Sequence, residues 1–233
     1  MQLITVAGSP SVGKTSVILR VGELLREEGL RVGIAKFDSL STSDDKLYEQ
    51  RGFPVATGLA GALCPDHYFV SNIEDCLAWG RRQQLDLLIS ESAGLCNRCS
   101  PHIDGVFAVC VVDALAGVHT PKKIGPMLRL ADLVVITKGD IVSQAEREVF
   151  AYQVRLANPS ARALFCNGIT GQGSLALARA ILDASATDVL EGRRLRFPMP
   201  AAVCPYCVGE TAIGETHQRG NVKKMAFPDQ ALS

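Results

Sequence analysis

The chain has no excess of charge of either sign. Its 233 residues include 24 basic and 24 acidic side chains, so the formal net charge is zero. This even balance leaves no electrostatic reason for the chain to bind nucleic acid or an anionic membrane surface. We therefore expect neither nucleic acid nor a membrane among its partners.

Long apolar runs are also missing, and so is room for an export signal. No run approaches the roughly 20 apolar residues that a membrane-spanning helix requires. A strand pattern begins at residue 2, which leaves no space for a signal peptide before it. These absences predict a cytoplasmic protein. In that reducing compartment, the eight cysteines are expected to be thiols or metal ligands and not disulfides.

Internal repeats and low-complexity segments are absent as well, and strand patterns instead alternate with helix patterns. A hydrophobic content of 47% is enough for one well-buried core. The alternation predicts an α/β fold, a doubly wound and mostly parallel sheet. We predict strands at 2–7, 31–36, 85–90, 106–112, 132–137 and 162–166, and helices at 14–28, 72–83, 144–157 and 174–187. A domain over 1–196 is then followed by a loop-rich, cysteine-containing extension over 197–233, packed on the same domain or on a partner protomer.

The segment from residue 8 to residue 15 reads Gly-Ser-Pro-Ser-Val-Gly-Lys-Thr, which fits the P-loop pattern of nucleoside triphosphate hydrolases. An apolar strand pattern precedes it and a helix pattern follows it, which is the context that this motif needs. Backbone N–H groups then surround phosphate oxygens at a helix N-terminus. Lys14 is predicted to reach the β- and γ-phosphates, and the Thr15 hydroxyl to bind Mg²⁺. The predicted nucleotide-binding residues are Gly8, Ser9, Pro10, Ser11, Val12, Gly13, Lys14, Thr15 and Ser16.

Two later segments favour guanine over adenine as the base. The run Thr137-Lys138-Gly139-Asp140 follows a strand pattern and resembles the guanine-reading Asn-Lys-x-Asp element of GTPases, with Thr in place of Asn. An aspartate there accepts from N1–H and the 2-amino group of guanine. A lysine stem covers the plane of the base. Asn167 and Gly168 follow the next strand pattern, where GTPases have their last guanine-contact loop. An ordinary strand-end turn would also explain the first segment, so ATP stays an alternative.

Carboxylates are expected to complete the Mg²⁺ site. Glu91 ends a buried-strand pattern and Gly94 follows it, so a carboxylate and a close backbone approach are predicted beside the γ-phosphate. Asp38 follows another strand pattern and is a second candidate for the metal shell, although a solvated loop acid is the better explanation of Asp38 taken alone.

The motifs together resemble the nickel-enzyme maturation GTPases. The segments that carry the likeness are Glu91-Ser92-Ala93-Gly94, Val111-Val112-Asp113, Pro121-Lys122-Lys123-Ile124-Gly125-Pro126 and Ala131-Asp132-Leu133-Val134-Val135-Ile136-Thr137-Lys138. This family includes the hydrogenase accessory protein HypB and the urease accessory protein UreG, with the CobW proteins as more distant relatives. The resemblance covers about residues 2–180.

The resemblance has consequences for sites and partners. It implies phosphate, Mg²⁺ and catalytic roles for Lys14, Asp38 and Glu91, a Mg²⁺ role for Thr15, and guanine roles for Lys138 and Asp140. It also implies a GTP-dependent homodimer that passes a metal ion, Ni²⁺ among others, to a client metalloenzyme or its accessory proteins. The family's Cys-His metal motif corresponds here to Cys64-Pro65-Asp66-His67, with two residues between Cys64 and His67 instead of none or one.

Two Cys-x-x-Cys pairs add a feature that the relatives do not explain. Cys96 and Cys99 follow the predicted hydrolysis loop, and Cys204 and Cys207 lie in the tail. Two intervening residues allow both thiolates of a pair to bind one metal. Two pairs supply four ligands, which suits a tetrahedral Zn²⁺ or a [4Fe–4S] cluster within one protomer or across a dimer. A zinc staple without a functional role and a redox dithiol are the alternatives.

We therefore predict a GTPase of slow intrinsic turnover that couples its nucleotide state to delivery of a metal or an iron–sulfur cluster. The alternatives are a nucleotide-driven iron–sulfur scaffold or electron-transfer activator, a regulatory GTPase with structural zinc, and a small-molecule kinase. The guanine-like loops count against the kinase. The sequence does not identify the client.

Overall fold

A computed structural model describes residues 1–95, 97–187, 189–197, 210–217 and 222–230. The strands are β1 (Gln2–Ala7), β2 (Val32–Asp38), β3 (Val55–Leu59), β4 (Leu87–Ser92), β5 (Phe107–Asp113), β6 (Leu133–Thr137) and β7 (Arg162–Phe165). The α-helices are α1 (Lys14–Glu27), α2 (Asp44–Gln50), α3 (Pro65–Arg82), α4 (Thr120–Ile124), α5 (Pro126–Arg129), α6 (Gln144–Ala157) and α7 (Ser174–Leu182).

The seven strands form one sheet in the order β3-β2-β4-β1-β5-β6-β7, and every strand pair in it is parallel. The α/β fold predicted from the alternation of patterns is therefore confirmed. β1 lies between β4 and β5, which is where the strand order reverses direction. The carboxyl ends of parallel strands meet at one edge, and ligands of such sheets bind at the reversal point.

Helices cover both faces of the sheet, as strands buried on both sides require. On one face, α3 packs its buried aromatic side chains, including Trp79, against β2 and β4. On the other face, α1 and α7 contact each other over the apolar side chains of β1 and β4. A third cluster joins β5 and β6 to α4, α5 and α6. The central strands are therefore packed on both faces, and the loops at their carboxyl ends extend from this packed core.

The predicted strands agree with the observed ones to within two residues at each end, but several other elements were missed. β3 is short and α2 is only seven residues long, so neither has a clear periodicity. The prediction that a helix spans 72–83 was wrong at its start, because α3 begins at Pro65 with Cys64 as the preceding cap residue. The prediction of a helix over 174–187 was too long, since α7 ends at Leu182.

Parts of the C-terminal region lie against the sheet domain. Arg196 forms two 2.8 Å hydrogen bonds with the Asp132 carboxylate, and the Leu195 N–H donates to the Thr211 carbonyl oxygen at 2.7 Å. Phe227 stacks on Trp79 of α3. Among the described residues, no helix is long and apolar enough to cross a membrane.

Candidate functional site

The P-loop joins β1 to α1 at the reversal point of the sheet. It lines a cavity of about 410 Å³ together with side chains from β2, α2 and the end of β4. The Lys14 ammonium is buried and donates to the carbonyl oxygens of Gly8 at 2.9 Å and Ser9 at 3.0 Å. Burial lowers the pKa of Lys14, which the nearby Glu91 carboxylate partly opposes. The loop thus presents a lysine and a helix N-terminus, the features that bind phosphate.

Gly94, which follows β4, touches the P-loop directly. It has a φ of +66°, and a Cβ there would collide with the Gly8 carbonyl oxygen. The absence of a side chain at Gly94 therefore allows this loop and the P-loop to approach one another. A switch loop in this position senses the γ-phosphate in other P-loop proteins.

A Gly94→Ala substitution is expected to weaken GDP and GTP binding at least tenfold, because the collision displaces the P-loop backbone by more than phosphate binding tolerates. Isothermal titration calorimetry with GDP measures the effect. Gly29→Ala is the matched control, since Gly29 has a similar positive φ of +89° and nothing within 4 Å of the added Cβ. Equal GDP affinity in the two variants would contradict this account of Gly94.

Next to Lys14, the Thr15 hydroxyl oxygen lies 3.0 Å from both Asp44 Oδ2 and Glu91 Oε1. We call Thr15, Asp44 and Glu91 the magnesium cradle. A hydroxyl and two carboxylates are oxygen donors of the kind that Mg²⁺ prefers. The donor set therefore fits Mg²⁺ at the place where a P-loop threonine binds it.

Two neighbours of the cradle were missed by sequence reasoning. The Lys36 ammonium lies 2.7 Å from Asp44 Oδ2 and 3.0 Å from Glu91 Oε1, and the Tyr48 hydroxyl donates to Glu91 Oε2 at 2.8 Å. Burial alone lowers the pKa of Lys36, but the Glu91 and Asp44 carboxylates outweigh it and raise the pKa. Lys36 lies inside an apolar strand pattern and Tyr48 on a short helix, so neither position suggested a site.

Asp38, predicted for the metal shell, lines the same cavity but does not contact Thr15. Its Oδ1 accepts from the Ser39 N–H at 2.8 Å, and its Oδ2 is 3.9 Å from the Lys36 ammonium. Asp44 takes the nearer position at the start of α2. The run of Thr42, Ser43 and Asp44 before a short helix was the available signal, because such residues cap helix N-termini.

The two segments predicted to read the base lie side by side. Asp140 and Asn167 line one small pocket. Gly168 sits against the start of α1, where a Cβ would collide with the backbone of Ser16. The geometry thus brings both segments beside the P-loop.

The Thr-for-Asn substitution has a structural explanation. The Thr137 hydroxyl lies 2.6 Å from the Val12 carbonyl oxygen of the P-loop. Lys138 donates to the Ser11 carbonyl oxygen at 2.9 Å and pairs with the Asp113 carboxylate. Thr137 therefore ties this loop to the P-loop through one hydroxyl group.

A cluster of two thiols and a carboxylate lies at the end of β4, where Ser92 contacts it. The ligand atoms of Cys64, Asp66 and Cys99 all lie within 4.8 Å of one another. Cys99 and Asp66 are buried and Cys64 is half-buried. We call these three residues the thiol cluster. Sequence reasoning assigned Cys64 and Cys99 to two different sites, and the fold brings them together.

The electrostatics of the thiol cluster favour a thiolate. A hydrogen bond from the Cys99 side chain lowers the pKa of Cys64 to about 6, against the effect of burial. Burial and the Cys64 charge raise the pKa of Asp66 to about 7. Thiolate sulfur is the form that binds soft and borderline metal ions. His67 is the next residue on α3, and burial lowers its pKa, which favours the neutral form that binds metals.

Hydrogen bonds link the thiol cluster to the end of β4, next to Glu91 of the magnesium cradle. Ser92 follows Glu91 in β4, and its hydroxyl donates to Asp66 Oδ1 at 3.0 Å. The same hydroxyl oxygen accepts from the Gly94 N–H at 3.4 Å. Ser92 therefore contacts both the thiol cluster and the loop that touches the P-loop.

The remaining cysteines divide into two groups. Cys96, Cys204 and Cys207 lie outside the described residues. Cys76, Cys110 and Cys166 are buried in the core, as their apolar surroundings in the sequence predict. Burial raises the pKa of Cys110 to about 12, which keeps that thiol protonated.

Comparison with known proteins finds similar sequences over most of the chain. A sequence profile described as the nucleotide-binding domain of CobW, HypB and UreG matches residues 2–165. An uncharacterized protein of Methanocaldococcus jannaschii is 43% identical over 225 residues, covering 97% of this chain and 96% of that protein. A urease accessory protein UreG of Methylorubrum populi is 30% identical over 215 residues, covering 82% of this chain and 95% of that protein.

Solved structures of the same fold extend the comparison. The crystal structure of HypB from Helicobacter pylori in complex with nickel superposes with a TM-score of 0.64. The superposition covers 78% of this chain and 86% of the HypB chain, and the two sequences are 16% identical. This likeness shows a shared fold.

Proposed function

Because the chain belongs to the CobW/HypB/UreG family of nucleotide-binding proteins, we propose that it is a GTP hydrolase that couples its nucleotide state to the delivery of a metal. The cargo is a transition metal ion or an iron–sulfur cluster, and the recipient is a client metalloenzyme or its accessory proteins. The nickel bound by the HypB relative supports a metal cargo of this kind.

In this function the P-loop residues bind the triphosphate and the magnesium cradle binds Mg²⁺. Lys14 turns from the P-loop carbonyl oxygens to the β- and γ-phosphates, and Gly94 lets its loop approach the γ-phosphate. Bound Mg²⁺ neutralises charge on the phosphate oxygens. Glu91 and Asp44, with Asp38 at the rim of the cavity, orient water around the reacting phosphate. Positioning and charge stabilisation supply most of the rate in such sites, so slow intrinsic turnover is expected.

One observation carries the coupling between nucleotide and cargo. Ser92 donates to Asp66 of the thiol cluster, and it accepts from the N–H of Gly94, which contacts the P-loop. When the loop at Gly94 moves on loss of the γ-phosphate, Ser92 and Asp66 move with it. The spacing of the cluster's ligand atoms then changes, and with it the affinity for the cargo.

The cargo site combines cysteines from two parts of the chain. Cys64 and Cys99 supply two thiolates, with the Asp66 carboxylate beside them and His67 next to Asp66 in the chain. Cys96, Cys204 and Cys207 are the proposed additional ligands for Zn²⁺, Ni²⁺ or a [4Fe–4S] cluster. Support for a role of the tail comes from the residue directly before it, because the Arg196 N–H donates to the His102 carbonyl oxygen at 2.9 Å, three residues beyond Cys99.

The proposed homodimer has a candidate surface around the nucleotide. Leu47 and Leu95 line the phosphate cavity and are 44% and 56% exposed. Exposed leucines beside a ligand site are typical of an interaction surface. Pairing across this surface would enclose the nucleotide and the thiol cluster together.

Anaerobic purification followed by a visible spectrum and metal analysis tests the cargo site. The wild type is expected to hold metal, and Cys99→Ala is expected to lose it while retaining GDP binding. A brown protein with iron and sulfide that is lost in both Cys99→Ala and Cys207→Ala would identify a cluster. A wild type that holds no metal after loading with Zn²⁺, Ni²⁺ or iron and sulfide would contradict the proposed function.

Asp140→Asn tests the choice of base. The aspartate is proposed to accept from N1–H and the 2-amino group of guanine, whereas xanthine has a carbonyl oxygen at position 2 to which an asparagine amide donates. GTP affinity is expected to fall by about 100-fold and XTP affinity to rise, since hydrogen bonds to a charged group contribute about 1.5–3 kcal/mol. Calorimetric titrations with GTP, XTP and ATP measure this. ATP affinity equal to that of GTP in the wild type would contradict guanine selectivity.

A further inference from the structure

Lys36 occupies a position in the site that phosphate binding does not explain. It lies in β2 directly opposite Glu91 in the neighbouring strand β4. Side chains that are neighbours across parallel strands point to the same face of the sheet. Lys36 is only 2% exposed, so its ammonium is held inside the site and not in solvent.

The Lys36 ammonium shares the oxygen atoms of the magnesium cradle. Asp44 Oδ2 is 3.0 Å from the Thr15 hydroxyl and 2.7 Å from the ammonium. Glu91 Oε1 is 3.0 Å from the same hydroxyl and 3.0 Å from the same ammonium. The ammonium therefore already uses the two carboxylate oxygens that face the Mg²⁺-binding hydroxyl.

The charges around the cradle come to within one unit of balance without any added ion. Lys14 and Lys36 contribute two positive charges, and Asp44 and Glu91 contribute two negative charges. Asp38, whose Oδ2 is 3.9 Å from the Lys36 ammonium at the rim of the cavity, adds one more negative charge. A divalent ion thus has little electrostatic gain at this site until phosphate adds negative charge.

We propose that the Lys36 ammonium fills the cation position of the magnesium cradle in the nucleotide-free protein, so that Mg²⁺ enters only together with a nucleotide. Lys36 then holds Asp44 and Glu91 in place before the nucleotide arrives, and it prevents a free divalent ion from occupying the empty P-loop. This inference rests on the proposed nucleotide and Mg²⁺ site and adds an order of binding to it.

Titration of the nucleotide-free protein with Mn²⁺, followed by electron paramagnetic resonance, tests the proposal. The wild type is expected to bind Mn²⁺ no tighter than about 1 mM without nucleotide, and at least tenfold tighter with GDP. Lys36→Met is expected to bind Mn²⁺ without nucleotide at least tenfold tighter than the wild type, because it removes a positive charge about 3 Å from the cradle oxygens. Lys122→Met, at an exposed lysine, is the control and should match the wild type.

Two results would overturn the proposal. One is a Lys36→Met variant that binds Mn²⁺ no tighter than the wild type without nucleotide, and the other is a wild type whose Mn²⁺ affinity is unchanged by GDP. GDP affinity is measured in parallel by calorimetry. A protein that does not bind GDP at all refutes the proposed function itself, whereas normal GDP binding with either Mn²⁺ result refutes only the role of Lys36.

A second measurement uses the unaltered protein and covers a Lys36→Met variant that does not fold. In protein labelled with ¹⁵N at lysine Nζ, the buried Lys36 ammonium is expected to give a slowly exchanging signal, because Asp44 and Glu91 accept its protons. Addition of Mg²⁺ with GDP should shift or remove this signal, while Mg²⁺ alone should leave it unchanged. A signal that GDP with Mg²⁺ leaves in place, or that Mg²⁺ alone removes, would contradict the proposal.

Discussion

A Glu91→Gln variant is expected to hydrolyse GTP at least 100-fold more slowly than the wild type, which is the usual loss when one preorganised electrostatic group is removed from an active site. Glu91 is fully buried and contacts Thr15, Lys36 and Tyr48 through its two oxygens. Glutamine keeps the shape but removes the charge, so the orientation of water and of the Thr15 hydroxyl is lost. The phosphate contacts of the P-loop do not depend on Glu91.

Single-turnover hydrolysis and GDP titration, carried out on the same preparation, measure this effect. GDP affinity is expected to change by less than about fivefold, because uniform binding is retained when a group that acts in the transition state is removed. Glu49→Gln, at an exposed position on α2, is the matched control and should hydrolyse GTP at the wild-type rate. A Glu91→Gln variant with wild-type turnover would exclude Glu91 from the reaction.

The second large effect is expected at the thiol cluster. Cys99→Ser should lower the affinity for Zn²⁺ or Ni²⁺ by at least about 100-fold, since loss of even a supporting residue costs metal sites tenfold to 100-fold. Serine keeps a hydrogen-bond donor toward Cys64, whose pKa of about 6 depends on that bond, so the loss of affinity reports the missing sulfur ligand. GDP binding should be retained, because Cys99 does not line the phosphate cavity.

Competition with a chromophoric chelator measures the metal affinity. Cys166→Ser is the matched control, because Cys166 is also buried. Its sulfur lies 3.4 Å from the Ser174 hydroxyl, so a serine hydroxyl at position 166 has a hydrogen-bond partner. Wild-type metal affinity in Cys99→Ser would exclude the thiol cluster as the cargo site. A loss of the same size in Cys166→Ser would indicate a general effect on folding.

The sequence predicted most of the fold and the phosphate-binding loop because both depend on local patterns. Buried parallel strands are read as apolar runs, and the P-loop is a contiguous motif between a strand and a helix. Lys36 was missed because a charged residue within an apolar strand reveals nothing about its cross-strand neighbour. Its partner Glu91 lies 55 residues later, and only the strand order brings them side by side.

The thiol cluster shows the same limit. Cys64 and Cys99 were predicted as parts of different metal sites, because sequence spacing links Cys99 to Cys96 and Cys64 to His67. The start of α3 at Pro65 places Cys64 and Asp66 beside the loop after β4. Asp66 looked like an insertion that disturbed a motif, and the structure shows that it accepts a hydrogen bond from Ser92. The spacing of residues along the sequence does not predict contacts of this kind between distant segments.

The proposed coupling between nucleotide state and cargo binding is tested by the metal affinity in two nucleotide states. The affinity for the metal identified in the purified protein is measured with a non-hydrolysable GTP analogue and with GDP, for the wild type and for Ser92→Ala. Wild-type protein is expected to bind the metal at least tenfold more tightly in the GTP-analogue state, which is about 1.4 kcal/mol of coupling. In Ser92→Ala the ratio of the two affinities is expected to be much smaller. Equal metal affinity in the two nucleotide states of the wild type would contradict the proposed coupling.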